Sequence, residues 1–509
     1  MTNPAAAMRM LITYAICIPL AVTVGYLLTN PLDYGTLGFL GLVAGLIIAP
    51  IFIKWHYPIM VFGLAFPAHM FFLQGDPPCW QIVVVISLGL AIVERTLNSD
   101  KRFIKAPGMT WALLFTVAMG VVTMELTGGF GLHKLGGSVG GGGKYINLFL
   151  GVATFYALTS RGIPPERRKL YVRLFFLSGF FIFFSDMFPY LPKPFNYINL
   201  LFPPSGSIDT YDPSQGTTRF GCFAGAANCI FFFMLARYGL RKIFSLANPF
   251  RAMIFVVTFC LTMLGGFRSV LALNIIILTC VFFLEGLHRT RWLAVVMVFM
   301  LIIGCVVVPF SRHLPYTFQR AMAFLPLDLD PGAIADTQDS TEWRLHIWQA
   351  MWPKVPGYLL LGKGYSLTSQ DFESIGQDTA FAASAKTDAS MEGLAVSNDF
   401  HSGPLSTLVC FGLWGAVSIL AIMLAGLHIV YRNFKYGDPE LRTVNTLLLA
   451  VHLEHMLHFF FLFGAYDLDV IGFARYVGFS VALNWGVCGP KLQPVAAQRI
   501  KPLAEPQPA

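Results

Sequence analysis

Apolar runs of about 20 residues recur along the whole chain and constrain its fold more than any other feature. Each run is long enough to cross the hydrocarbon core of a bilayer as a helix. Hydrophobic residues make up 56% of the chain and charged residues 12%, about half the charged fraction of a soluble domain. The pattern predicts fourteen candidate spans: 8–28, 35–53, 57–74, 80–97, 109–127, 144–160, 169–190, 217–236, 252–267, 269–287, 292–310, 403–430, 442–464 and 470–487. The first lacks a small-residue cleavage site and is expected to be a retained anchor. The sequence therefore predicts an all-α polytopic membrane protein with about 12–14 transmembrane helices.

The basic loops predict the orientation of the chain in the membrane. Clusters of Lys and Arg favour the cytoplasmic side, and they occur at 101–105, 161–169, 237–251, 289–291, 432–442 and 491–501. Fourteen spans then place both termini inside, and the net charge of +8 is mainly a topology signal with no nucleic-acid role. We expect four regions: an N-terminal bundle (1–310), a large external loop (311–402), C-terminal transmembrane helices (403–488) and a disordered cytoplasmic tail (489–509). The nine cysteines have no spacing typical of a disulfide or zinc framework.

The external loop contains a predicted amphipathic helix, Asp339 to Trp352. Asp339 and Glu342 have the spacing of a capping box, and Pro353 ends the pattern. One arc is apolar and consists of Trp343, Ile347, Trp348, Met351 and Trp352. Arg344 falls in the middle of that arc, where a charge is costly unless an anion meets it. A phosphate would suit the guanidinium; the alternative is a carboxylate elsewhere in the fold.

Three further polar residues are predicted at or near the same outer face. Arg219 precedes a span, where an arginine can also simply reach back to the interface. Arg268 sits between two short apolar runs in a glycine-containing turn, where it can equally be a solvated turn residue. His401 lies where the long loop returns to the membrane, beside Asp399, which is a candidate to orient it. A neutral imidazole there can accept a proton from a hydroxyl, although a lone histidine is more often structural.

At these residues the chain resembles the O-antigen ligase and polymerase superfamily, bacterial inner-membrane enzymes that transfer lipid-linked glycans. The resemblance covers about residues 215–430 and rests on four motifs in the family order. They are Thr218-Arg219-Phe220-Gly221…Asn228, Gly266-Phe267-Arg268-Ser269, Arg344-Leu-His-Ile-Trp348…Gly362-Lys363-Gly364, and His401-Ser402…Gly412-Leu-Trp-Gly415. Two departures are Ala226-Ala227 where proline is common and Phe267 in place of a serine. Fourteen spans also exceed the usual ten to twelve.

The resemblance implies a reaction and roles for these residues. The donor would be a glycan on undecaprenyl pyrophosphate, and the acceptor a hydroxyl of lipid A core or of a growing polysaccharide, at the periplasmic face of the inner membrane. The catalytic candidates are Arg219, Arg344 and His401, and transfer would invert the sugar without a metal or other cofactor. The substrate-binding candidates within these motifs are Arg268, Asn228, Trp348 and Lys363. Two further candidates follow from position alone: Arg475, near the outer end of the last span, for a lipid phosphate, and His458, near the outer face, for the acceptor path. Ligase-like transfer is favoured over polymerisation, which uses the same chemistry. A lipid-linked oligosaccharide flippase is the alternative of another class, but no internal repeat is apparent and the charges gather at one face.

Several other patterns are interpreted as structural. The glycine-rich segment around Gly136–Lys144 lacks the residues of a phosphate-binding P-loop and is expected to be a flexible loop. The pairs Asp328/Asp330 and Asp467/Asp469 resemble the carboxylates that hold a metal and a nucleotide in some glycosyltransferases. Both are predicted to be external, which argues against a nucleotide-sugar donor, and metal binding for a lipid-phosphate donor stays an alternative. His452, Glu454 and His455 are expected to be polar packing inside the bundle. Glu94 and Asp186 are expected to find partners there as well.

Overall fold

The computed structural model is an all-helical assembly in the part of the chain that it describes. Those residues are 4–27, 29, 34–73, 75–98, 100, 102–131, 141–187, 190, 192–195, 197–203, 220–367 and 400–490. Across these ranges the structure contains no β-strand, and the only extended pairing is one isolated bridge between His69 and Pro78. Eight helices are long and apolar enough to cross a membrane. The predicted fold class, an all-α polytopic membrane protein, is confirmed.

Eighteen α-helices follow one another along the described residues. They are α1 (Pro4–Leu27), α2 (Tyr34–Gly63), α3 (Cys79–Leu97), α4 (Pro107–Leu126), α5 (Gly142–Thr159), α6 (Arg168–Leu177), α7 (Phe184–Met187), α8 (Ile198–Leu201), α9 (Gly221–Ile243), α10 (Pro249–Leu261), α11 (Arg268–Leu284), α12 (Trp292–Phe310), α13 (Tyr316–Met322), α14 (Pro331–Met351), α15 (Val355–Tyr358), α16 (Gly403–Tyr436), α17 (Arg442–Leu457) and α18 (Tyr466–Asn484). A 3₁₀ segment, Ser178–Phe183, joins α6 to α7. A π-helical turn, His458–Leu462, extends α17.

Helix α2 replaces two of the predicted spans, 35–53 and 57–74. The helix continues to Gly63 with Pro50 and Pro58 inside it. The side chain of His56 is buried and lies 2.9 Å from the Ser87 hydroxyl, so its polar group has a partner inside the bundle. Two predicted spans are therefore one helix.

Helix α18 is the centre of the bundle. It packs along α5 and also against α16 and α17. Glycines permit the close approach to α5, because a Cβ at Gly151 would overlap Ile471 and one at Gly478 would press on Leu158. Helix α12, in contrast, lies at the surface of the bundle, since none of its residues is buried. Its apolar side chains therefore suit contact with lipid on every side.

Charged residues inside the bundle find partners, as expected. Glu94 accepts a hydrogen bond from the Arg161 guanidinium at 2.6 Å. Asp186 is fully buried and accepts the backbone N–H of Phe223 at 2.8 Å, at the first turn of α9. Both carboxylates therefore have hydrogen-bond partners in the bundle.

Candidate functional site

The helix that carries Arg344 begins earlier than the sequence suggested. Helix α14 starts at Pro331, not at Asp339, and Asp330 caps it by accepting the backbone N–H of Gly332 at 2.8 Å. An aspartate followed by proline is a strong start signal, because the side chain satisfies a free N–H and proline fits the first helical position. The predicted capping box at Asp339 and Glu342 is therefore wrong.

The apolar face of α14 docks on the beginning of α16. Ile347 and Met351 are buried in a cluster with Phe400, Leu405 and Val409, which confirms the predicted arc at these positions. Trp352 is an exception, because its side chain is 52% exposed. Apolar burial of this kind fixes the angle at which the loop helix meets the membrane-spanning helix.

A hydrogen bond ties this helix to the residue next to His401. The indole Nε1 of Trp348 donates to the backbone carbonyl of Phe400 at 2.9 Å. Trp348 lies one turn after Arg344 on the same helix, so the two side chains share a face. The bond joins the residue one turn after Arg344 to the residue just before His401, although 57 positions separate Arg344 from His401 in the sequence.

Arg344 is half-buried and lacks an obvious counter-ion. Its Nε atom is buried and has no hydrogen-bond partner among the described residues. No carboxylate in that part of the chain forms an ion pair with it. Removal from water disfavours the charged form, and burial accordingly lowers the pKa of Arg344. The alternative that Arg344 pairs with a carboxylate thus finds no support in the described ranges.

A second arginine lies beside the first. Gly266 adopts a left-handed conformation (φ +64°) that turns the chain between α10 and α11, as the glycine-containing turn predicted. Arg268 follows, and both of its terminal nitrogens donate to the Thr341 hydroxyl at 3.2 Å. Thr341 lies one turn before Arg344, and the charges of Arg268 and Arg344 repel each other. Two neighbouring guanidiniums without a carboxylate form a site suited to a polyvalent anion.

His401 has a strained backbone at the point where α16 begins. Its φ of +48° lies in the left-handed region, which few non-glycine residues adopt. Its ring packs on that of Phe463, with ring centroids 4.9 Å apart. His458 packs on the same phenylalanine at 5.9 Å, so the structure brings His458 close to His401. Backbone strain of this kind persists where the surroundings enforce it, often at functional sites.

The Gly-Lys-Gly segment of the loop docks on a break in α16. Gly412 (φ +59°) interrupts the helix, and the carbonyls of Val409 and Cys410 instead accept the N–H groups of Lys363 and Gly364, each at 2.9 Å. A Cβ at Gly362 would overlap the Cys410 carbonyl. The glycines therefore allow the backbone of the loop to approach the backbone of α16 closely. The structure places Lys363 at this break, and a substrate contact by its side chain stays a prediction.

Two of the predicted substrate-binding residues lie away from this cluster. Asn228 and Arg475 line a cavity of about 700 Å³ between α5, α9 and α18. Arg219 lies outside the described residues, as does Asp399. Phe220, which follows Arg219 in sequence, donates its backbone N–H to the Leu264 carbonyl at 3.3 Å. This bond places the beginning of α9 next to the turn that carries Arg268.

The structure also reveals polar pairs that the sequence did not predict. Asp467 is buried and accepts from the Asn147 amide at 3.3 Å. Asp469 is buried too and forms an ion pair with His455 at 2.9 Å. The two carboxylates thus contact different partners. Asn147 is 320 positions away from Asp467, and no local pattern signals such a contact. His452 is packed as expected, with its Nε2 2.9 Å from the Met423 carbonyl.

Comparison with known proteins agrees with this geometry. Residues 253–420 match the family model described as O-antigen ligase, whereas no curated protein sequence matches the chain. The matched segment runs from α10 into α16 and includes Arg268, Arg344, Trp348, Lys363 and His401. Residues 253–420, about a third of the chain, are therefore similar to the O-antigen ligase family.

Proposed function

We propose that the protein transfers a glycan from undecaprenyl pyrophosphate to an acceptor hydroxyl at the periplasmic face of the bacterial inner membrane. The observation that carries this proposal is the juxtaposition of Arg268, Arg344 and His401. Arg268 and Arg344 are neighbours and form no ion pair with a carboxylate among the described residues, and Trp348, one turn after Arg344, is hydrogen-bonded to the residue that precedes His401, whose backbone is strained. The three residues come from three separate segments of the matched region.

The arginines are suited to the leaving group. A pyrophosphate carries several negative charges, and guanidinium groups bind phosphate oxygens bidentately. As the bond between the sugar and the phosphate breaks, its electron pair stays on the pyrophosphate, and nearby cations stabilise the growing charge. Arg344 and Arg268 would take this role, together with Arg219 from the start of α9. Such cationic residues can neutralise a pyrophosphate in the way that a metal ion does in other enzymes.

His401 is suited to the acceptor. The acceptor oxygen attacks the anomeric carbon while the bond to the pyrophosphate breaks on the opposite side, so the configuration inverts in one step without a covalent enzyme intermediate. The proton of the acceptor hydroxyl passes to the imidazole of His401, which acts as general base. Contact with Phe463 holds the ring in place. His458, on the same phenylalanine, and Trp348 would line the acceptor path.

We infer that the acceptor is the lipid A core, as in ligase-like transfer. A growing polysaccharide chain would undergo the same chemistry, with polymerisation as the result. The side of the membrane follows from the basic loops, which place the connections after α3, α5, α9, α11, α16 and α18 in the cytoplasm. Arg268, Arg344 and His401 then lie at the opposite, periplasmic end of the bundle.

The roles can be separated with purified protein and undecaprenyl-pyrophosphate glycan. We expect Arg344→Ala to weaken donor binding, and His401→Ala to bind the donor normally but to release undecaprenyl pyrophosphate at least about a hundredfold more slowly. Arg312→Ala is the matched control, because Arg312 is exposed and forms its ion pair with Asp328. It should leave both steps unchanged.

The acceptor requirement distinguishes the candidate functions. Release that needs lipid A core supports a ligase, and release with chain lengthening alone supports a polymerase. Full activity of folded His401→Ala or Arg344→Ala protein would overturn the mechanism. Movement of the intact donor across a vesicle membrane without any release would instead indicate a flippase.

A further inference from the structure

The cavity that contains Arg475 lies apart from His401 and has walls that suit hydrocarbon. It occupies about 700 Å³, and aromatic residues such as Trp80 and Phe175 line much of it. Its polar groups include Asn228 from α9 and Arg475 from α18. A mostly apolar pocket with a few convergent polar groups is typical of a ligand site.

Arg475 carries an unpaired charge inside the bundle. It lies nine residues after Tyr466, the first residue of α18, which is about 14 Å along the helix axis. Its contacts are with the rings of Phe175, 5.0 Å away, and Tyr476, 5.8 Å away. Its buried Nε has no hydrogen-bond partner, and no carboxylate in the described ranges forms an ion pair with it. An arginine at membrane depth usually serves a function, because burial of its charge is costly.

Asn228 is a second unsatisfied group in the same cavity. Its side-chain carbonyl oxygen is buried and has no hydrogen-bond partner among the described residues. Buried side-chain amides are normally satisfied by protein, water or ligand. A cation and an amide that both face one cavity can together bind an oxyanion, with the amide turned so that its nitrogen donates.

Arg268, Arg344 and His401 are not among the residues that line this cavity. Leu468, Ile471 and Arg475 follow the i, i+3, i+7 spacing of one helix face, and all three line the cavity. A different face of α18 packs on α17, where Asp469 pairs with His455. A ligand at Arg475 would therefore occupy a site distinct from the one formed by Arg268, Arg344 and His401.

We propose that this cavity binds the phosphate group of a membrane lipid, with the phosphate on Arg475 and Asn228 and the first part of the hydrocarbon chain along the aromatic wall. The guanidinium matches phosphate in charge and geometry, and the aromatic residues match the chain. A volume of about 700 Å³ accommodates a phosphate and part of a chain rather than a whole polyprenyl lipid. The inference does not depend on glycan transfer, because it concerns equilibrium binding alone.

The test is native mass spectrometry of the detergent-solubilised full-length protein. The probes are undecaprenyl phosphate, undecaprenol, phosphatidylglycerol and inorganic phosphate. We expect undecaprenyl phosphate to bind about ten- to a hundredfold more tightly than undecaprenol, the range expected for a charge-assisted contact. Arg475→Gln should abolish this preference. Arg173→Gln is the matched control, because Arg173 is exposed on α6, the helix that also supplies Phe175 to the cavity wall.

A second variant blocks the cavity and keeps the charge. A Cβ at Gly225 would meet only Ile182, at an ordinary 3.4 Å, so Gly225→Leu should fold and fill the space in front of Arg475. It should weaken binding of undecaprenyl phosphate by about tenfold or more. If phosphatidylglycerol binds as tightly as undecaprenyl phosphate, and if Arg475→Gln weakens both, the cavity is a general site for lipid phosphates. Binding of undecaprenol as tight as that of its phosphate, full competition by inorganic phosphate, or binding unchanged in both variants would overturn the proposal.

Discussion

Removal of the Arg344 charge should stabilise the protein while it impairs donor binding. The Nε of Arg344 is buried without a partner, and the charge of Arg268 lies beside it. A buried unsatisfied donor costs about 1–3 kcal/mol, so Arg344→Met should raise the free energy of unfolding by an amount of this order, less the loss of some contacts. Arg320→Met is the matched comparison on the neighbouring helix α13. Arg320 pairs with Asp336 at 3.0 Å, and its removal should lower stability by about 1 kcal/mol, because Asp336 loses its charged partner and keeps the hydrogen bond from the Tyr316 hydroxyl.

The assay is thermal unfolding in detergent, followed by tryptophan fluorescence, with and without inorganic pyrophosphate. A ligand that binds only the folded state raises the unfolding midpoint. Pyrophosphate should therefore raise the midpoint of the wild type and of Arg320→Met, but not that of Arg344→Met. If Arg344→Met were as destabilising as Arg320→Met and pyrophosphate still stabilised it, Arg344 would have a structural partner and the proposed anion site would be wrong.

Three further substitutions test other parts of the site. Gly362→Ala should cost about 1–2 kcal/mol from its left-handed backbone alone and should lower transfer activity through the displaced loop, whereas Gly357→Ala, with open space around it, should be neutral in thermal unfolding. Trp348→Phe removes the hydrogen bond to the Phe400 carbonyl, so we expect a loss of about 1 kcal/mol in stability and a lower kcat with little change in KM for the donor. Asp469→Asn weakens the ion pair with His455 and should lower the unfolding midpoint but leave lipid binding at Arg475 intact; a loss of that binding would mean that the two sites are coupled.

Much of the site could be predicted because its signals are local. A charge in the middle of an apolar helix arc marked Arg344, and the period of the arc correctly predicted that Ile347 and Met351 face the protein. The glycines before Arg268 marked the turn between α10 and α11. Each of these features depends on residues within about two helical turns of one another.

The features that the sequence did not predict depend mostly on contacts between residues that are distant in sequence. The burial of His56 against Ser87 joins residues 31 positions apart, and no local pattern indicates it. The contact of Asp467 with Asn147 likewise joins residues 320 positions apart. The start of α14 is a different case, because Asp330 and Pro331 were a local signal that the apparent capping box further along obscured.

The cavity at Arg475 shows a further limit of the sequence. Its position near the outer end of the last span suggested a lipid phosphate, but nothing in the sequence indicated which residues would surround it. Only the structure shows that Arg475 lines a cavity together with Asn228 and that Arg344 and His401 are not among the lining residues. The two arginines are therefore predicted to respond independently to mutation.

Glycan transfer to an acceptor hydroxyl is best tested by the release of free undecaprenyl pyrophosphate from the glycan-linked donor. The purified wild-type protein is assayed with and without lipid A core and in the presence of EDTA. We expect release that requires lipid A core, that matches glycan transfer one for one, and that EDTA does not affect. If the folded protein releases no undecaprenyl pyrophosphate with lipid A core or with a growing glycan chain, the proposed function is wrong.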